Sequence, residues 1–241
     1  MSLVSAVCSD VSPELCTEDS AEALHMLQVK KRDRASAGLK RYSQFGQDQW
    51  LNDTYGHDYK GFYLDIGAHN GEVLSNTQAL DERGWKGICV EPLPVNFEKR
   101  TCRVYKQVLS DTTGDEITFE DCVFNGTDHG DGGLSGIAGL GLFANSEKRQ
   151  NCSNVKFHTM RLDDFLKTVE NMPVVIDYMS IDVEGSEGKI LSHFPWDSHC
   201  LKTITIERPS VEVVNMLFDH GCKLSAYLGE DHAYKCSCAN R

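Results

Sequence analysis

No apolar run in this 241-residue chain approaches the roughly 18 residues a helix needs to span a bilayer, which excludes a spanning helix. Positive charge is scarce, with 24 Lys and Arg against 36 Asp and Glu and a net charge of −12. A surface that acidic repels phosphate backbones and anionic lipid, so neither nucleic acid nor a membrane is expected as a partner. There is no C-x-x-C and no Cys/His set with zinc-finger spacing, so no structural zinc site is expected. The dinucleotide fingerprint G-x-G-x-x-G is also missing, which disfavours a nucleotide-cofactor oxidoreductase.

What is present fits a globule. Hydrophobic residues make up 40% and charged residues 25%, and the length allows one large domain or two small ones. Ten cysteines are many for a cytosolic chain. Cys89 lies in an apolar run and reads as a buried small hydrophobe. Cys8, Cys16, Cys222, Cys236 and Cys238 sit near the two ends, where disulfides are conceivable. Three Asn-x-Ser/Thr acceptors, Asn52, Asn125 and Asn151, fit a secretory lumen. The first residues lack a basic start followed by an apolar core, which favours the cytoplasm slightly and leaves the compartment open.

Residues 1–40 read as an appended arm, with a helical patch at Leu24, Met26, Leu27 and Val29 running into the basic cluster Lys30–Arg34. That cluster is read as a solvated face or a processing site. From Gly61 onward apolar runs alternate with helical patterns. Strands are expected at Phe62–Ile66, Gly87–Glu91, Arg103–Leu109, Glu116–Val123, Val155–Met160, Val174–Asp182, Leu201–Ile206, Lys223–Leu228 and Ala233–Cys236. Helices are expected over Val73–Arg83, from Pro94, from Asp163, over Glu187–Phe194 and over Val211–His220. The alternation points to a mainly parallel sheet with helices on both faces, closed by an antiparallel hairpin. Seven of the twenty glycines fall between Gly126 and Gly141, in a surface excursion or a lid over a ligand.

In open parallel sheets ligands bind beyond the carboxyl ends of the strands. FYLDIGAHNG (62–71) puts Asp65 at one such end, with Gly67 and Gly71 allowing a tight turn. A carboxylate there repels a pyrophosphate and suits a cationic ligand rich in hydroxyl and amino groups, such as S-adenosylmethionine. Glu91 ends the second strand, where an acid can bind both ribose hydroxyls, and Ser110-Asp111 ends the third, facing an adenine. YMSIDVEGSE (178–187) closes the fourth strand with Asp182, Glu184 and Glu187, and burying such a strand end costs desolvation unless the acids bind something. Asp182 and Glu184 are two apart and face one side of an extended chain. Glu207 holds the matching place on the fifth strand, completing a carboxylate cluster for a divalent ion or a base, or else pairing with Arg208.

Together with YSQFGQDQWL (42–51), Ser75-Asn76-Thr77, WKGICVEPLP (85–94) and LDDFL (162–166), these segments resemble the FkbM-type class I methyltransferases. The resemblance runs from about Tyr42 to Phe194 and more weakly to about Tyr234. It implies a Rossmann-like seven-stranded fold and S-adenosylmethionine as cofactor, with methyl transfer to hydroxyls of small molecules or sugars. By position it assigns cofactor contacts to Gln44, Gln47, Asp65, Gly67, Ala68, Gly71, Asn76, Glu91, Pro92, Ser110, Asp111 and Asp182. Asp182 and Glu184 match its Asp-x-Glu-Gly motif, Gly46 and Asp48 belong to its pre-strand segment, and Leu134–Ile137 favours the lid reading. Asp182, Glu184 and Glu207 are the catalytic candidates, with His69 and His193 as weaker bases. A divalent metal is possible and none is assigned, and Trp50, Trp85 and Trp196 are expected to pack. The alternative in another class is a non-catalytic binding or scaffolding protein that keeps the fold.

Overall fold

A computed structural model describes residues 41–124, 135–139 and 149–238, so the arm at 1–40 and most of the glycine-rich stretch lie outside the described residues. The described chain is mixed α/β. In order it forms α1 (Gln47–Tyr55), β1 (Phe62–Ile66), α2 (Gln78–Glu82), β2 (Lys86–Val90), β3 (Arg103–Tyr105), β4 (Val108–Leu109), β5 (Glu116–Phe124) and β6 (Gly136–Ile137). There follow β7 (Arg149–Met160), α3 (Leu162–Thr168), β8 (Val175–Ile181), α4 (Glu187–Leu191), β9 (Cys200–Glu207), α5 (Val211–Asp219), β10 (Cys222–Leu228) and β11 (Asp231–Cys236).

Seven strands make one sheet in the order β10-β11-β9-β8-β1-β2-β3. The run from β9 to β3 is parallel, and β11 lies antiparallel to both β9 and β10. β8 is buried from Ile176 to Ile181, as a central strand covered on both faces must be. Because side chains alternate along a strand, Leu64, Ile88, Met179 and Ile204 pack with Leu162, Phe165, Ile190 and Leu217 of α3, α4 and α5. Tyr63, Cys89 and Tyr178 join Trp50, Leu51 and Leu80 of α1 and α2 in a second cluster. Helices therefore cover both faces, and every parallel strand delivers its carboxyl end to one edge.

A second sheet, β4-β7-β5-β6, is not foreseen from the sequence. The expected strand Arg103–Leu109 divides, with β3 staying in the large sheet while β4 turns to pair with β7. β7 starts earlier than expected and runs antiparallel to β5. The expected helix Val73–Arg83 shrinks to Gln78–Glu82. Ser75 Oγ accepts the Thr77 and Gln78 amides, and Leu74 has φ 57°, so the preceding residues form a looped turn. No helix follows Pro94, where residues 91–102 form turns and bends. α4 ends at Leu191, short of Phe194.

Four disulfides lie among the described residues: Cys89–Cys102, Cys122–Cys152, Cys200–Cys238 and Cys222–Cys236. This corrects the reading of Cys89 as a simple hydrophobe and bears out pairing near the carboxyl end. Four disulfides are compatible with a secreted or lumenal protein. No helix among the described residues is long and apolar enough to cross a membrane. Trp50 and Trp85 pack in the core as expected, and Trp196 stacks on His220 at 4.2 Å between ring centroids.

Candidate functional site

At the carboxyl edge of the parallel strands opens a cavity of about 350 Å³. The turn after β1 forms its floor. Gly67 has φ 80°, and a Cβ there would sit 1.7 Å from the Asp182 carbonyl oxygen, so only glycine lets the turn press against the end of β8. The Gly67 amide donates to Val90 O at 2.9 Å and the Asp182 amide to Ile66 O at 3.0 Å, locking the ends of β2, β1 and β8 together.

Eleven of the residues expected at the site line this one cavity: Gln44, Gln47, Asp65, Gly67, Ala68, Asn76, Glu91, Pro92, Asp182, Glu184 and Glu207. Gly71, Ser110 and Asp111 do not. Gly71 packs against the Asn96 carbonyl and the Phe97 ring. Once β4 turns into the second sheet the chain leaves the cavity after Leu109. Ser110 is buried and donates to Asp111, which is 44% exposed and pairs with Lys189 at 3.7 Å. In their place Gln107, Val108 and Leu109 line the wall, with Phe119 of β5 and Ser135, Gly136 and Ile137 at β6. The 134–137 segment, as far as it is described, thus reaches the cavity. His69 lines it as well, and His193 does not.

The two acids on the β1–β2 side are buried and held from behind. Asp65 accepts from Thr77 Oγ1 at 2.6 Å, and burial pushes its carboxyl above the ordinary range against the pull of Arg100 and Thr77. Glu91 accepts the His69 amide at 2.8 Å and the Leu93 amide at 3.0 Å. Burial nevertheless raises it to about 7, with those two amides opposing and the Asp65 and Asp121 charges adding to the rise. Asn76 donates to Ser180 Oγ at 3.0 Å, while its buried Oδ1 has no partner among the described residues. An orphaned acceptor beside Asp65 and Glu91 is a set matched to a ligand bearing ammonium and hydroxyl donors.

The β8–β9 side is different. One carboxylate oxygen from each of Asp182, Glu184 and Glu207 falls within a 4.8 Å group, and all three side chains are half-buried. Three carboxylates that close cannot all stay ionised without a cation or shared protons. Asp182 is pushed well above its ordinary range by burial first, then by the charges of Glu207 and Glu184. Glu184 has φ 58°, a left-handed residue before Gly185 that turns the chain sharply out of β8. Glu207 also pairs with Arg208 Nη1 at 2.7 Å, so both readings of Glu207, cluster and ion pair, are realised together. Glu187 accepts the Val183 and Gly185 amides and stays out of the cavity as a cap for its own turn.

The pre-strand segment closes the cavity's end. Gln47, 1% exposed, donates to Asp231 Oδ2 at 2.6 Å and accepts the Phe45 amide. Asp48 folds back on Tyr42 and Ser43. Residues that reasoning from sequence missed are Arg208, Phe119 and Gln107–Leu109. Arg208 had only its place beside Glu207 as a signal, and the other four had none.

A family model, the methyltransferase FkbM domain, matches residues 65–232. The chain belongs to the FkbM methyltransferase family. No curated protein and no solved structure matches it. The matched span covers both acid-bearing sides of the cavity.

Proposed function

We propose that this FkbM-family chain is an S-adenosylmethionine-dependent methyltransferase acting on a hydroxyl of a small molecule or sugar, in a Rossmann-like fold. The observation that carries the reading is the convergence of five acids, Asp65, Glu91, Asp182, Glu184 and Glu207, on one cavity at the carboxyl edge of the sheet. S-adenosylmethionine, when bound, supplies an electrophilic methyl group on a sulfonium. Asp65 and the free Asn76 Oδ1 would hold its ammonium group, and Glu91 its ribose hydroxyls. Phe119, Ile137, Val90 and Leu109 offer apolar walls for a base, with Pro92 and Ala68 beside them.

The acceptor belongs on the Asp182–Glu184–Glu207 side. A hydroxyl must lose its proton as it attacks, and a carboxylate within reach or a cation held by several serves that need. Asp182 anchors the acceptor, and Glu184 takes the proton, since Arg208 already claims an oxygen of Glu207. An acidic pocket favours a neutral or cationic acceptor over an anionic one. The disulfides favour a lumenal or secreted setting over the cytoplasm.

The experiment is methyl transfer from donor labelled in its methyl group to a panel of sugars and hydroxylated small molecules, read as label in product. Transfer that disappears with Glu184→Gln supports the reading. Donor binding with no transfer to any acceptor supports the non-catalytic binding protein instead.

A further inference from the structure

Behind the cavity floor lies a buried cation. Arg100 has a fully buried side chain, and it sits on the loop after β2. Its Nε donates to Asp81 Oδ2 at 2.7 Å. Nη1 donates to the Gly71 carbonyl at 3.0 Å and Ser75 Oγ at 3.1 Å. Nη2 reaches Tyr63 OH at 3.2 Å and Thr77 Oγ1 at 2.5 Å. Thr77 then donates its own proton to Asp65. One planar fork thus ties the looped turn 71–77 to β1 and α2, and only a hydroxyl separates it from a cavity acid. The Cys89–Cys102 disulfide anchors the loop that carries it, with Cys89 Sγ 3.5 Å from Nη2.

We propose that Arg100 is a positioning residue for the cavity, acting through Thr77 to orient Asp65 and keep it ionised toward a cationic ligand. A guanidinium suits this place because five donors in fixed geometry satisfy five acceptors at once, which a lysine cannot do. The arrangement also explains how a carboxylate 3% exposed is tolerated in the sheet. Other groups facing Asp65 are Asp81 and Thr77 behind it, Glu91 from the end of β2, and Tyr178 and Ser180 from β8. None of these is a cation, and Arg100 is the cation that acts on Asp65 beside them. The cavity role rests on the cofactor reading above, while the link from Arg100 to Asp65 does not.

The test uses Thr77→Val, which cuts the relay and leaves the Arg100–Asp81 pair intact, and Arg100→Lys, which keeps charge and loses the fork. Asp65 titration is followed by carbon-13 NMR of the carboxyl group, assigned with Asp65→Asn, and melting temperature reports folding. Both variants are expected to raise the Asp65 midpoint by about one pH unit, a tenfold change in its ionisation equilibrium. S-adenosylmethionine affinity, measured on both sides of the Asp65 midpoints that the titration returns, should then fall about tenfold on the acid side and recover on the alkaline side. An Asp65 midpoint unchanged in both folded variants overturns the proposal, as does an affinity loss equal at every pH. If the wild type binds no S-adenosylmethionine, the cofactor reading fails and the NMR titration still decides the role of Arg100.

Discussion

The two sides of the cavity solve the same problem of buried acid in opposite ways. On the β1–β2 side each carboxylate has fixed partners: Thr77 and Arg100 serve Asp65, and two backbone amides serve Glu91. On the β8–β9 side three carboxylates face one another, and Arg208 pairs with one of them, Glu207. Fixed partners preorganise a binding surface at the cost of reactivity. Acids that crowd each other exchange protons or hold a cation easily, which suits chemistry. The proposed function gives holding to one side and reacting to the other.

The sharpest way to break the division is to neutralise the reactive side. Asp182→Asn should lower methyl transfer on order of a thousandfold while changing donor affinity less than tenfold, checked by turnover and calorimetry. An equal loss of both would make Asp182 a donor-binding residue instead of an anchor for the acceptor. Next comes the holding side's pH signature. Glu91 moves from an ordinary 4.5 to about 7 on folding, so the unfolded chain releases that proton first. Stability of the ligand-free protein should therefore decline as pH rises from 4.5 to 7, with Asp65, Asp182 and Asp231 shifted in the same sense. Glu91→Gln should remove at most about 3 kcal/mol of that decline, measured by urea unfolding at pH 5 and 8. A slope of opposite sign would show that Glu91 is ionised throughout.

The β5–β7 pair, which brings Phe119 to the cavity wall, offers a comparable effect. Cys122–Cys152 closes a 30-residue span across β5 and β7, and Cys122→Ser with Cys152→Ser should cost about 3 kcal/mol of stability. A loss confined to donor affinity, with the melt unchanged, would instead make the bridge a device for the cavity alone. The smallest effect is expected at Asp111, exposed and paired with Lys189. Asp111→Asn should change donor affinity less than twofold, because its side chain does not line the cavity.

The parallel strands were legible because VIDYMSI, KGICV and FYLDI are largely apolar runs, each followed at once by an acid or a glycine (Asp182, Glu91 and Gly67). Their carboxyl ends and the five convergent acids followed from that spacing. The second sheet was not legible, since the switch of β4 out of the large sheet depends on pairing with Thr159 and Met160, some fifty residues away. Asp111 looked like a strand-end acid for the same reason. The helix expected at Val73 failed because Ser75 and Thr77 spend their hydroxyls on loop amides and on Asp65, a competition that periodicity does not register. Cys89 looked apolar because its partner, 13 residues on, lies in a loop with no pattern of its own.

The division of labour is tested most directly by calorimetric titration of S-adenosylmethionine into the wild type, Asp65→Ala, Glu91→Ala and Glu184→Gln, each shown to be folded. Micromolar binding in the wild type and Glu184→Gln, lost in Asp65→Ala and Glu91→Ala, is the expected result. Binding lost equally in all three variants, or absent from the folded wild type, would contradict it.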